Sequence, residues 1–109
     1  MSRGLTVLKF GGTSVADPEK IQRAAERAAA ERRRGKSVVV VVSAPGQMTD
    51  ELLSLAGQVE GLGSARELDV LLSTGELVGT SLFAMACRSL GSAAVSLSGP
   101  QAGISAAGE

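Results

Sequence analysis

Five consecutive valines, Val38 to Val42, constrain the fold of this 109-residue chain more than any other feature. Valine is β-branched and favours strands. The run lacks the alternation of apolar and polar residues that is typical of a strand with one solvated face. We therefore expect a central parallel strand that is covered on both faces, and hence a fold in which helices pack against a parallel sheet.

The rest of the chain predicts helices and strands in the order expected for such a fold. The pattern favours one α/β domain over residues 1–109, layered as αβα, with a mainly parallel sheet. The predicted elements are a strand over Leu5–Phe10, a helix capped by Asp17 and ended by Gly35, a helix capped by Thr49, a loop marked by Gly57, Gly61 and Gly63, a helix from Ala65 that is interrupted at Ser73–Glu76 and resumes as a buried helix to Gly91, and a strand over Ala93–Leu97.

Composition excludes several classes of function. The 11 basic and 11 acidic residues balance, so no net charge recruits nucleic acid or an anionic membrane. The arginine run at residues 32–34 is interpreted as a solvated helix end in preference to a nucleic-acid patch. No segment reaches the roughly 18 apolar residues that would span a bilayer. Without histidine, neither a His-based triad nor a His-ligated metal site can form within these residues. The lone Cys87 fits a reducing cytoplasm and a small core residue.

The segment richest in chemistry follows the first predicted strand. Two adjacent glycines there let the backbone turn several N–H groups toward one anion. A lysine adds positive charge and two hydroxyl residues add donors, so the corner is suited to bind phosphate. The alternative is a tight turn beside a solvated lysine. The predicted phosphate-binding residues are Lys9, Phe10, Gly11, Gly12, Thr13 and Ser14.

Two further polar segments are expected near the same edge of the sheet, where ligands collect in open parallel sheets. Ser43 and Thr49 follow the valine run and offer hydroxyls that can orient a carboxylate. Glu76 lies at the predicted helix break, where it can hold an ammonium group. The alternative for Glu76 is a surface residue that complements a helix dipole. Together the three segments suit phosphoryl transfer to a small zwitterion.

Four blocks of the sequence, in this order, resemble the N-terminal part of the catalytic domain of aspartokinases, which belong to the amino-acid kinase fold. The resemblance covers nearly the whole chain at family-like spacing. The blocks are KFGGTS at 9–14, VVVVSA at 39–44 with Thr49 behind it, RELDVLLSTGE at 66–76 and SLSGPQAGI at 96–104.

The resemblance implies a kinase that transfers phosphate from ATP to the side-chain carboxylate of L-aspartate, which is the first step toward lysine, threonine and methionine. It implies that Lys9 contacts the transferring phosphoryl group, and that Gly11 and Gly12 bind phosphate through backbone amides. Ser43 and Thr49 would bind aspartate, with Glu76 on its ammonium group. Mg²⁺ would arrive with the nucleotide, so no protein-ligated metal is expected.

The sequence also departs from the family's pattern. Pro45 stands where the family often has methionine, and Ser98 replaces a usual threonine. The family normally continues far beyond Ile104, so we expect these residues to form only part of the kinase domain, without an ACT regulatory domain. The alternative function is therefore a non-catalytic module that binds an anion or aspartate or serves in assembly. We also expect self-association through unpaired sheet edges.

Overall fold

The computed structural model describes residues 4–60 and 64–98, with the side chain of Glu60 excepted. The elements are strand β1 (Leu5–Phe10), a 3-10 turn (Gly12–Val15), helix α1 (Pro18–Arg33), strand β2 (Ser37–Val42), helix α2 (Met48–Glu60) and helix α3 (Ala65–Ser89). β1 and β2 form a parallel pair in which Leu5 lies opposite Ser37 and Phe10 lies opposite Val42. The predicted α/β class with a parallel sheet is confirmed.

Helix α1 begins and ends where the sequence predicts. The Asp17 side chain accepts a hydrogen bond from the backbone N–H of Lys20 at 2.9 Å, which satisfies one of the free amides of the first turn. Pro18 occupies the first helical position, where its missing N–H costs nothing. At the other end Gly35 adopts a φ of 82°, a left-handed conformation that glycine tolerates best.

The hydrophobic core lies on one face of the two strands. Phe10 and Val42, at the carboxyl ends of β1 and β2, are buried beneath α1 and α3. The Phe10 ring meets that of Phe83 on α3, with ring centroids 5.6 Å apart and planes tilted by 33°. The small residues of α1 allow this helix to approach the sheet and α3 closely; those buried are Ala24, Ala25, Ala28 and Ala29.

The expectation that Val38–Val42 is covered on both faces is wrong for the described residues. Val39 and Val41 are 51% and 50% exposed, and Leu5 and Val7 on the same side of β1 are 65% and 61% exposed. We call these four residues the open face. Valine is apolar on either side of a strand, so the run indicates which residues can be buried but cannot identify the element that covers them.

The predicted strand over Ala93–Leu97 is also absent. Residues 92–98 have no regular structure, and the sheet of the described residues has two strands. This segment lies beside β2, because Ala93 and Ala94 line the same cavity of about 340 Å³ as Val38 and Val40. Arg88 donates a hydrogen bond to the carbonyl oxygen of Ala94 at 3.0 Å. A strand requires a backbone ladder as well as suitable side chains, and that ladder does not form here.

Two glycines predicted to interrupt helices lie inside them. α3 runs without a break through Ser73–Glu76, and α2 continues through Gly57. Gly61, Gly63 and the segment 99–109 lie outside the described residues. Thr49 is the second residue of α2, inside its first turn, so the prediction that it caps this helix is wrong. Glycine lowers helix stability by only about 1 kcal/mol, which tertiary packing can offset.

The apolar half of α3 is less buried than predicted. Its buried residues are Gly75, Gly79, Phe83 and Cys87, which recur every fourth position and form one stripe toward the core. The expectation that no segment is apolar enough to span a bilayer is wrong for α3, which alone among the described helices is long and apolar enough, by length and composition only, with 22% of the apolar window buried. Within the described residues, α3 packs against α1, α2 and β2.

Candidate functional site

The glycine corner, residues 9–14, joins β1 to the 3-10 turn. Gly11 is the N-cap of this turn and is extended, with φ −75° and ψ 173°. The N–H of Ser14 donates to the carbonyl oxygen of Gly11 at 3.0 Å, which closes the turn. The first amides of a helical turn have no acceptor within it, and in the described residues the N–H groups of Gly12, which is one of the two predicted phosphate-binding amides, and of Thr13 have no backbone acceptor elsewhere.

The two glycines of the corner are required for different reasons. A Cβ at Gly12 would lie 2.9 Å from the carbonyl oxygen of Ala44 and 3.1 Å from that of Gly46, so packing alone excludes a side chain there. A Cβ at Gly11 would meet nothing within 4 Å, and its φ is one that any residue adopts. Neither the backbone conformation nor the described packing therefore requires a glycine at position 11. The open space beside it would allow phosphate to approach the backbone closely.

The segment that follows β2, residues 43–47, is called the β2 loop. It docks directly onto the glycine corner. The N–H of Ser43 donates to the carbonyl oxygen of Phe10 at 3.0 Å, which extends the parallel ladder by one residue. The N–H of Gly46 donates to the carbonyl oxygen of Gly12 at 2.9 Å. Two predicted ligand-binding segments are thus joined through their backbones.

Helix α3 supports the β2 loop from the other side. A Cβ at Gly75 would lie 3.1 Å from the Cβ of Ala44, and one at Gly79 would lie 2.4 Å from the carbonyl oxygen of Ser43. These glycines are one helical turn apart, so they form a flat strip against which the loop lies. Gly75, predicted to break the helix, instead allows it to pack closely. Glu76 follows it directly in the sequence.

The side chains predicted to bind substrate are accessible. Lys9, Thr49 and Glu76 are exposed, and Ser43 is half-buried. Within the described residues, Lys9 and Glu76 form no ion pair, and the hydroxyls of Ser43 and Thr49 make no hydrogen bond. Each group is free to meet a ligand. Lys9 lies directly opposite Val41 in the strand pair, so by alternation these two residues lie on the same side of the sheet.

The hydroxyls of the predicted third segment have a different role. Ser73 donates to the carbonyl oxygen of Val70 at 2.7 Å, and Thr74 donates to that of Leu71 at 2.6 Å. Such bonds are common for these residues inside helices. In this segment, the glutamate rather than the hydroxyls therefore remains available.

A cationic pocket near the corner was not predicted. A shallow surface pocket of about 330 Å³ is lined by Lys9, Lys20, Arg23 and Arg27, together with Phe10, Ser14 and Ala24. Glu76 is not among its lining residues. The spacing of 20, 23 and 27 along α1 places three cations on one helix side, a signal that was present in the sequence. The pocket adds to the positive potential beside the corner, although Arg23 is paired with Glu19.

Comparison with known proteins connects this arrangement to one family. The sequence model of the Amino acid kinase family matches residues 4–109. "Aspartokinase 2" of Bacillus subtilis (strain 168) is 58% identical over 101 residues, which is 93% of this chain and 25% of that protein. "Aspartokinase" of Mycobacterium tuberculosis (strain ATCC 25618 / H37Rv) is 54% identical over 100 residues, covering 92% of this chain and 24% of that protein.

The fold is shared as well. The crystal structure of aspartate kinase from Synechocystis matches this chain with a TM-score of 0.83 and 47% sequence identity, over 86% of this chain and 16% of that chain. This chain spans about a quarter of the length of the curated relatives that it matches.

Proposed function

Since this chain belongs to the amino acid kinase family, we propose that it carries part of the active site of an aspartate kinase. The reaction is transfer of the γ-phosphoryl group of ATP to the side-chain carboxylate of L-aspartate, giving 4-phospho-L-aspartate for lysine, threonine and methionine biosynthesis. The observation that carries the proposal is the docking of the β2 loop on the glycine corner through the bond from Gly46 to Gly12. It joins a site suited to phosphate to one suited to a carboxylate.

The corner is the proposed phosphate end of the site. Lys9 contacts the transferring phosphoryl group, and the amides of Gly11 and Gly12 bind phosphate oxygens, with Phe10, Thr13 and Ser14 completing the segment. The open space at Gly11 supports this role, because a phosphate oxygen can approach the backbone there. Mg²⁺ would accompany ATP as part of the co-substrate and would supply positive charge against the phosphates beside Lys9.

The β2 loop and α3 form the proposed aspartate end. The hydroxyls of Ser43 and Thr49 orient aspartate through one carboxylate, and Glu76 pairs with its ammonium group. An oxygen of the side-chain carboxylate then attacks the γ-phosphorus. A new P–O bond forms while the bond to the β–γ bridging oxygen breaks, and ADP leaves with that electron pair. The protein contributes positioning and charge neutralisation, and forms no covalent intermediate.

The remaining features are part of the same proposal. Residues 1–109 would form part of the catalytic domain, and would work in the cytoplasm without nucleic acid or membrane partners. A specific observation favours a second candidate. The open face leaves apolar surface uncovered among the described residues, which favours a role in assembly for the second candidate, a non-catalytic module that binds an anion or aspartate or serves in assembly.

Coupled measurement of ADP release with L-aspartate and Mg-ATP separates the two candidates, with calorimetry for each ligand. Turnover that Lys9→Ala abolishes and Lys36→Ala preserves supports the kinase. Lys36 is the matched control because it lies away from the corner and pairs with Glu31. Binding without turnover supports the second candidate, and absence of both binding and turnover contradicts each.

The substrate end has its own test. Glu76→Gln preserves shape but removes the negative charge, so we expect weaker aspartate binding with little change in nucleotide binding. Glu67→Gln is the control, because Glu67 is an exposed residue of the same helix that pairs with its neighbour Arg66. Equal aspartate affinity in the two variants would remove Glu76 from the site.

A further inference from the structure

We propose that Gly79 is a positioning residue for substrate. Because it has no side chain, the β2 loop can pack directly against α3, and this contact places Ser43 where it can bind aspartate. This inference rests on the proposed function and adds to it a residue outside the predicted site. Gly79 lies in α3 and is buried beneath the loop.

The contact at Gly79 is with backbone, which makes it restrictive. A Cβ at this position would lie 2.4 Å from the carbonyl oxygen of Ser43, 3.3 Å from Cγ1 of Val42 and 3.4 Å from Cδ of Pro45. A flexible side chain can rotate away from such a contact, but a carbonyl oxygen moves only with its peptide. Ordinary contact would require a displacement of about 1 Å.

Neither partner can yield without disturbing something else. α3 is anchored one turn further on by Phe83, whose ring packs on Phe10 in the core. On its opposite side the loop meets Gly12, where a Cβ would lie only 2.9 Å from the Ala44 carbonyl oxygen, and it is bonded there through Gly46. The loop is thus enclosed between two glycines. A methyl group at position 79 must therefore shift Ser43 or weaken the bond from Gly46 to Gly12.

Two other glycines provide a graded comparison. Gly57 lies inside α2 with nothing within 4 Å of its Cβ direction, so Gly57→Ala adds the same methyl group to a helix without a contact. Gly75→Ala would meet the Cβ of Ala44 at 3.1 Å, which is a side-chain contact. Ala44→Gly removes that partner, so the double variant should relieve the crowding. No such side-chain change relieves Gly79→Ala, because its partner is backbone.

The experiment uses the 109-residue chain and three readouts: calorimetry with L-aspartate and with Mg-ATP, hydrogen exchange of the Gly46 amide by NMR, and thermal unfolding. For Gly79→Ala we expect aspartate affinity to fall by about tenfold or more, as for the loss of one hydrogen bond to a charged group, while Mg-ATP affinity changes less than about threefold. The Gly46 amide should exchange faster. Gly57→Ala should leave all binding unchanged, and Gly75→Ala should show a smaller loss that Ala44→Gly restores.

Several outcomes would overturn the inference. One is that Gly79→Ala changes neither the affinity for aspartate nor the hydrogen-exchange rate of the Gly46 amide. Another is that Gly79→Ala weakens aspartate and Mg-ATP binding equally and in proportion to its loss of thermal stability. If Gly79→Ala does not fold, the Gly75→Ala variant and its double variant with Ala44→Gly provide the test. A loss of aspartate affinity in Gly75→Ala that Ala44→Gly does not restore would contradict the positioning role. If the unaltered chain binds no aspartate, the proposed function and the substrate half of the inference fail together. The hydrogen-exchange rate of the Gly46 amide then tests separately whether Gly79 positions the β2 loop. An unchanged rate in Gly79→Ala would overturn that part of the inference.

Discussion

Both faces of the β1–β2 sheet carry apolar side chains, but the two faces have different environments. On one face Phe10 and Val42 are buried under α1 and α3, whereas on the other Val39 and Val41 are about half exposed. Alternate residues of a strand point to opposite faces, so a single valine run supplies both surfaces. The comparison teaches that apolar composition specifies which residues can form a core, while the covering element decides which of them do.

Truncation of the buried aromatic pair should have the largest effect. Phe83→Ala removes a ring from the covered face and leaves a cavity, so we expect a loss of roughly 3–5 kcal/mol in the free energy of unfolding. Urea denaturation followed by circular dichroism measures it. Met85→Ala, on the same helix but 65% exposed, is the control and should change stability by less than about 0.5 kcal/mol. Similar losses of unfolding free energy in both variants would mean that the buried and exposed sides of α3 contribute equally to stability.

The open face should drive association between chains. Exposed apolar surface and unpaired strand edges favour contact with further copies, so sedimentation velocity should show a molecular mass that rises with concentration. Val39→Lys should shift the chain toward monomer at a cost below about 1 kcal/mol. Val42→Lys, which buries a charge on the other face, should instead unfold the chain. A monodisperse monomer with cooperative melting at high temperature would contradict the contrast between the faces.

A change at the start of α1 should have a smaller effect. Asp17→Ala removes the side-chain acceptor of the Lys20 amide, and we expect a loss of about 1 kcal/mol. Ser64 stands at the N-cap of α3 but makes no side-chain capping bond. Ser64→Ala should therefore cost only a few tenths of a kcal/mol, at most about 0.5. Thermal unfolding of the two variants at matched concentration tests this difference between the helices that cover the buried face.

The smallest effect should appear at alkaline pH. Burial raises the pKa of the Cys87 thiol, because desolvation disfavours the thiolate. Above the ordinary thiol pKa of roughly 8.5, the unfolded chain loses this proton before the folded chain does, so stability should fall as pH rises. Cys87→Ala should flatten that part of the profile relative to the unaltered chain. An identical slope in both proteins would show that the thiol does not contribute to the pH dependence.

The sequence predicts the parts of the fold that depend on local chemistry. The Asp17 cap, the Gly35 stop and the position of the glycine corner at the end of β1 all follow from neighbouring residues. The third strand could not be predicted in this way, because Ala93–Leu97 has strand-like residues but lacks a backbone partner. Cover over Val39 and Val41 likewise depends on another element.

Gly75 explains why the candidate site was only partly predictable. A glycine within a helical pattern fits a break, a cap or a close contact, and the partner that decides among these, Ala44, is distant in the sequence. Gly11 and Gly12 likewise cannot be distinguished in the sequence, although packing requires a glycine at position 12 and leaves open space at position 11. Such differences arise only when the chain folds back on itself.

The enclosure of the β2 loop limits which sequence changes this segment can accept during evolution. Surface connections usually accept added or deleted residues. Here the stretch from Ser43 to Gly46 has a backbone neighbour on each side, with its length fixed by the spacing between Gly12 and Gly79. We therefore expect this connection to vary by exchange of side chains, such as Pro45, and to resist insertions and deletions.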